Sequence, residues 1–187
     1  VPHPNTSEPH PHHPVFPYLL RKQKILFPNQ VWGTDITFVR GDGVWFYLVA
    51  ILDWYSRFVL SWKLSRTLTA DFCVSALEEA LQIAIPDIHN SDQGSQFTSF
   101  KYIGTLQAYP SIKISMDGRG RCFDNIFTER LWRTVKYEEV YLNEYRSFGE
   151  AADSLDRYFT LYNHRRLHQA LGYKTPAEIY HQKSSIN

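Results

Sequence analysis

Cysteine, methionine, net charge and long apolar runs are all scarce in this chain of 187 residues. Only Cys73 and Cys122 are present, and their separation has no metal-site spacing. That excludes a disulfide-stapled scaffold and a thiolate metal centre, and two free thiols in a reducing cytoplasm are expected. No apolar stretch approaches the roughly 20 residues needed to span a bilayer, so no membrane partner is expected. The longest run, Val44–Leu52, reads instead as a buried strand. An apolar signal-peptide segment is missing from the Pro- and His-rich start. The formal charge is only +1, so any contact with nucleic acid must come from a local basic patch or from another domain or subunit. The sole methionine is Met116 and the chain starts at Val1, as expected of a fragment or of a reading frame with an unusual start. What is abundant is apolar and aromatic material, at 43% and 16%, which implies a packed globular core and argues against general disorder.

Residues 1–17 contain six prolines and four histidines. Proline removes backbone donors and opposes helix, so an extended arm is expected over residues 1–30, with its lead-in. A core over residues 31–145 and a helical C-terminal extension over 146–187 complete the expected organisation. The stretch Val31–Arg40, the turn Gly41-Asp42-Gly43, the apolar run Val44–Asp53 and Arg57–Ser65 read as three consecutive strands, with the second at the sheet centre. A helix is expected from about Ala70 to Ala84, because Cys73, Leu77, Ala80, Leu81 and Ala84 share one face and Pro86 follows. Further on, Ile88–Asp92 and Lys113–Asp117 read as strands, and Thr98–Ala108 and Asn125–Glu139 as helices. Capping boxes open helices at Ser147-Phe148-Gly149-Glu150 and Thr175-Pro176-Ala177-Glu178. Three strands followed by alternating helix and strand predict an α/β, ribonuclease-H-like fold: a five-stranded mixed sheet flanked by helices on both faces.

Three acidic residues stand out in that frame. Asp35 lies within the first strand, Asp92 ends the fourth, where open sheets place ligands, and Glu129 falls in the first turns of the helix after the fifth. Such a carboxylate set suits two Mg²⁺ ions, about 3.5–4 Å apart, for phosphodiester chemistry. Each residue alone has a plainer reading. Asp at a strand end is commonly a turn former, as expected for Asp42 and Asp53, and a helical Glu is commonly a solvated face. Arg133 and Lys136 lie four and seven residues after Glu129 and share its face, a geometry suited to DNA phosphates or, for Arg133, to a surface ion pair. Arg119 and Arg121 form a basic glycine-flanked loop that reads either as a phosphate clamp or as a solvated loop.

A resemblance sharpens these expectations. Val31-Trp32-Gly33-Thr34-Asp35-Ile36-Thr37, the segment Tyr47–Arg57, Ser91-Asp92-Gln93-Gly94-Ser95-Gln96-Phe97-Thr98-Ser99, Asp117-Gly118-Arg119-Gly120, Glu129, Lys136-Tyr137-Glu138 and the tail from Tyr162-Asn163 through Arg166, His168 and Leu171–Pro176 follow one another in order. Together they resemble the catalytic part of a bacterial insertion-sequence DDE transposase of the OrfB type, whose core is like that of retroviral integrases. The resemblance implies Asp35, Asp92 and Glu129 as metal ligands for Mg²⁺, with Mn²⁺ as substitute. It implies Lys136 near the cleavage site, with Arg133, Arg119, Arg121 and Arg166 as further DNA contacts. Double-stranded DNA of element ends and target, an OrfA-type helix-turn-helix partner, homo-oligomers on DNA and a bacterial cytoplasmic location follow from the same likeness. One departure is a spacing of 36 residues between Asp92 and Glu129, one more than the family's usual number. The extra residue is expected in the Tyr109-Pro110-Ser111 loop, because inside the helix it would rotate Glu129 by about 100°. Upstream helix-turn-helix segments of that family are also absent from these residues. A non-catalytic DNA-binding fragment and a nuclease acting on RNA–DNA hybrids are the alternatives.

Overall fold

The computed structural model describes residues 14–41, 43–118 and 125–182. The expectations for residues 1–13, Asp42, Arg119, Arg121 and Cys122 lie outside these described residues. Strands β1 (Val31–Arg40), β2 (Trp45–Asp53) and β3 (Val59–Ser65) form the expected meander, and β4 (Ile88–Ser91) and β5 (Lys113–Met116) complete a sheet ordered β3-β2-β1-β4-β5. The β1–β2 and β2–β3 pairs are antiparallel, whereas β4 and β5 run parallel to β1. The centre belongs to β1, not to β2 as the apolar run suggested. Both are interior strands, and a strand covered on two faces reads as a continuous apolar run wherever it stands in the order.

Strand alternation sorts the core into two layers. Leu48, Ala50 and Leu52 face one layer with Val31 and Val39, and Val49 and Ile51 face the other with Trp32. Helix α1 (Asp71–Ile83) buries Cys73, Leu77, Ala80 and Leu81 on the Trp32 side and leaves Glu78 and Glu79 exposed, as its periodicity requires. Helix α2 (Phe100–Gln107) joins it there, capped by the Ser99 hydroxyl, which accepts from the Tyr102 amide at 3.2 Å. The Val31 side is covered by α3 (Ile126–Glu138) and α4 (Phe148–His164). Leu131, Trp132 and Val135 are the buried stripe of α3, each worth about 1.5–3 kcal/mol on burial.

The C-terminal segments are tied to the sheet by specific bonds. The Asn163 carboxamide on α4 accepts from the Val59 amide and donates to the Val59 carbonyl, both at 2.9 Å, as a strand neighbour would. Helix α5 (Pro176–Tyr180) opens with the full capping box expected at Thr175 and Glu178. At α4 only half of the box forms, because Glu150 reaches the Arg146 amide instead of that of Ser147. No helix of the described residues is long and apolar enough to cross a membrane.

Gly33 controls how closely α3 lies on the sheet. A Cβ there would collide with Trp54 Nε1 and meet Thr128 Oγ1 at 2.9 Å, so any side chain would push against the indole and the first turn of α3. The Asn125 carboxamide, just before α3, donates to the Thr34 carbonyl at 3.3 Å and anchors the same point. Gly33→Ala is therefore expected to cost about 1–3 kcal/mol or more through overpacking. Thermal melting checks this, and an unchanged melting temperature would show that α3 is not held at this distance by Gly33.

Candidate active site

The parallel ladder between β1 and β4 ends early. It pairs Val31 with Ile88, Trp32 with His89 and Gly33 with Asn90, and there it stops. Two residues further along each strand stand Asp35 and Asp92, on the same face and in the same register, at the point where the strands part. On the other side of β4 the register pairs Asn90 with Ser115, and two residues on it brings Asp92 level with Asp117. Neighbouring strands lie about 4.8 Å apart, so three aspartates form one row, at the middle of β1 and just past the carboxyl ends of β4 and β5. Open sheets bind ligands at such a divergence.

Electrostatics match the row. Burial, then the charge of Asp92, and less strongly that of Asp117, raise the Asp35 pKa to about 7. Its Oδ1 accepts from the Ile36 amide at 2.8 Å and its Oδ2 from the Trp132 indole Nε1–H at 3.1 Å, and both bonds oppose the rise. Asp92 is exposed at its surface yet surrounded by enough protein that desolvation raises its pKa against the Gly94 amide, which donates to Oδ1 at 2.8 Å. Gly94 suits that turn because a Cβ would sit 2.9 Å from the same oxygen. Neither Asp35 nor Asp92 has a cationic side chain as ion-pair partner among the described residues. Asp117 is buried and accepts from the Asn90 carboxamide at 2.8 Å, and its carbonyl accepts from Gln93 Nε2 at 2.9 Å.

A buried polar layer backs the row on the opposite face. The ring Nε2 of His89 and the hydroxyl of Tyr102 lie 2.9 Å apart, and Tyr102 also bonds the Thr34 side chain. Burial pushes His89 down to about 3, so its ring is neutral, and raises Tyr102. Burial, then the charges of Asp92 and Asp35, raise the Cys73 thiol too, which makes it inert. Through Tyr102 these bonds join β1, β4 and α2 behind the carboxylates.

Glu129 stands apart from the pair. It lies in the first turn of α3 and is exposed. Trp132, three residues on and thus on the same helical face, is the residue that touches Asp35. Among the described residues, no group of three His, Cys, Asp or Glu side chains is close enough to hold an ion. Asp35 and Asp92 are thus brought together, and Glu129 is carried to their side of the sheet on an adjoining turn. The helix is continuous from Ile126 to Glu138 and carries Glu129 in its first turn.

The remaining expected residues divide by partner. Arg133 does not pair with Glu129; its guanidinium lies 6.0 Å from the Tyr137 ring centroid. Lys136 is half-buried in the last turn of α3 and lines a groove. Arg166 forms a fork with Glu138, at 2.6 Å from Nη2 and 2.9 Å from Nε, so a phosphate contact there would require opening that pair. Asp53 is a structural cap, as expected: it accepts from the Asn29 amide at 2.7 Å and the Ser56 amide at 2.8 Å. Sequence reasoning passed over Trp132, Asn90, Gln93 and Asp117. Of these, Trp132 carried a usable signal, its i+3 spacing from Glu129.

Comparison with known proteins follows this geometry. The family model described as Integrase core domain matches residues 27–122, and a second of the same description matches residues 110–176. The chain is 34% identical over 180 residues to the insertion element IS600 uncharacterized 31 kDa protein of Shigella sonnei, covering 92% of this chain and 66% of that protein. It is 33% identical over 167 residues to the putative transposase InsK for insertion sequence element IS150 of Escherichia coli (strain K12), covering 88% and 59%. The chain thus spans less than two thirds of these relatives' length. Among solved structures, the simian T-cell lymphotropic virus intasome, in complex with PP2A regulatory subunit B56 gamma, superposes with a TM-score of 0.75 at 20% identity, covering 96% of this chain and 63% of that one. The HTLV-2 integrase catalytic core domain in complex with magnesium (trimeric form) gives 0.68 at 22% identity, covering 84% and 100%. These likenesses bear out the ribonuclease-H-like fold of retroviral integrase cores. With matching models laid over most of its length and a divided sheet that sets two aspartates side by side, the chain belongs to the integrase core domain family.

Proposed function

We propose that this chain is the catalytic domain of a DDE transposase that cuts and joins DNA at the ends of an insertion sequence. The observation that carries the reading is the adjacency of Asp35 and Asp92 where β1 and β4 part, with the Glu129 helix pinned over them by Trp132. In this reading a water cleaves one strand at the element end. The freed 3′-hydroxyl then attacks a phosphodiester of the target, one P–O bond forming as another breaks, with no covalent enzyme intermediate. Relatives that carry transposase names and cover most of this chain support it.

The donor set fits a hard divalent cation. Two close carboxylates, both raised and neither facing a cationic side chain among the described residues, form an oxygen-only site of the kind Mg²⁺ takes. Asp35, Asp92 and Glu129 would hold Mg²⁺, two ions in the full site, with Mn²⁺ as a substitute. When bound, such ions generate the oxygen nucleophile and neutralise charge on the leaving oxygen. The magnesium of the HTLV-2 core supports the same choice. Trp132 fixes the Asp35 carboxylate by holding one oxygen, and Glu129, three residues before it on the same helix, would supply the third carboxylate. Arg133 and Lys136 extend along α3 toward the phosphates of double-stranded DNA. Arg119, Arg121 and Arg166 are the further contacts proposed. Pairing of element ends calls for a homo-oligomer and for an OrfA-type helix-turn-helix partner. The exposure of Glu129 favours one competing reading, a DNA-binding fragment without chemistry.

Asp35→Asn, Asp92→Asn and Glu129→Gln should each reduce Mg²⁺-dependent strand transfer on cognate ends to background, while melting temperature and duplex affinity stay near those of the parent chain. Retained strand transfer would remove the triad, and a parent chain inert with its upstream domain restored would favour the competing reading. Trp132→Phe keeps an aromatic ring but removes the indole donor. Carbon-13 NMR should then find Asp35 titrating above 7, because a lowering bond is gone. An unmoved titration would make Trp132 a packing residue only. The third test concerns pH. An ordinary aspartate titrates near 3.8 and Asp35 near 7, so between these values the fold retains a proton that the unfolded chain has lost. Stability therefore falls as pH rises from about 4 to 7 and is flat above. Mg²⁺ binds the charged form, so it should raise the melting temperature at pH 8 and much less at pH 5. An equal rise in the Asp35→Asn, Asp92→Asn double variant would place the ion elsewhere.

A further inference from the structure

Beyond the carboxylates, a groove of about 1110 Å³ opens between the tip of the β1–β2 hairpin and the end of α3. Phe38 and Trp45 line its strand side, Lys136 and Tyr141 its helix side. The three rings are 51%, 56% and 64% exposed and line one groove. Phe38 meets Trp45 edge-on at 6.3 Å and 87°, and Tyr141 meets Tyr137 edge-on at 5.4 Å and 84°. In each T-shaped pair one ring's edge covers a face of the other, and Phe38 also meets Tyr47 at 5.5 Å, so it is the exposure of Trp45 and Tyr141 that offers aromatic surface to a further partner. Among the described lining residues the charges are Arg40, Lys136 and Arg146 against Glu144 alone, so the groove attracts a polyanion.

We propose that this groove binds unpaired DNA, its aromatic faces stacking on exposed bases and its cations tracking the backbone. A cationic groove interleaved with flat rings is the recognised physics of single-strand binding. Paired bases offer no free faces, and duplex contacts go mainly to phosphates, which would leave Phe38, Trp45 and Tyr141 without a role. Location supports the assignment. Lys136 stands seven residues beyond Glu129 on the same face of α3, about 10 Å along its axis. A strand frayed at the cleaved end would reach the groove directly. The inference rests on the proposed DNA chemistry for its substrate, but the binding it describes needs no metal and no catalysis.

The experiment is fluorescence anisotropy of the full chain in EDTA, with a labelled oligothymidylate and a duplex of equal length as separate probes. Trp45→Ala and Tyr141→Ala should each weaken oligothymidylate binding about tenfold, within the range for a lost stacking platform, and change duplex binding by less than about twofold. Trp45→Phe, which retains a flat ring, should recover most of the affinity. Unchanged oligothymidylate binding, or equal losses on both probes, would overturn the proposal. So would sedimentation showing that Trp45→Ala splits a dimer while oligothymidylate binding is intact, because the groove would then seat a second copy. Because no cleavage occurs in EDTA, failure here leaves the triad untouched, and failure of the triad leaves this binding measurable.

Discussion

Two carboxylates held side by side in a partly buried crevice are the constraint around which this molecule is arranged. Asp35 and Asp92 repel, and desolvation makes the repulsion stronger. A fold selected for stability alone would separate them or place a lysine between them. Here the sheet does neither. The β1–β4 ladder ends two residues short of both aspartates, which fixes their backbones in register while leaving their side chains space. Burial first and the Asp92 charge second raise the Asp35 pKa, and a divalent cation would offset both.

The opposing contribution comes from α3. Its buried stripe adheres to the sheet, Gly33 lets its first turn approach, and Asn125 anchors its start. One indole N–H from this helix reaches the otherwise costly carboxylate. Packing, close approach and electrostatics therefore converge on the turn that also carries Glu129. The same helix, followed to its other end, runs into an aromatic and cationic groove, so a single element links the carboxylates to a surface suited to DNA.

Much of this was legible beforehand because the relevant signals are local. A strand-like stretch before a glycine turn marked β1, a continuous apolar run marked β2, and an apolar stripe marked α1, with boundaries within about two residues. Asp53 was correctly separated from the site, since an aspartate followed by Ser56 and Arg57 reads as a turn. What was not legible depends on register and on contacts between distant segments. That Asp92 stands level with both Asp35 and Asp117 follows from parallel pairing, which no stretch of sequence states. That β1 rather than β2 is central has the same origin. The bond from Trp132 to Asp35 joins residues 97 apart. Arg166 looked like a free cation because its partner, Glu138, lies on another helix 28 residues away.

A crystal of the chain grown or soaked with Mn²⁺ and measured at the manganese edge tests the central claim most directly. The account predicts an anomalous peak bridged by the Asp35 and Asp92 carboxylates, with the Glu129 side chain swung toward it and the Trp132 bond retained. Manganese absent from that crevice at saturating concentration, or bound there with Glu129 still turned to solvent, would contradict it.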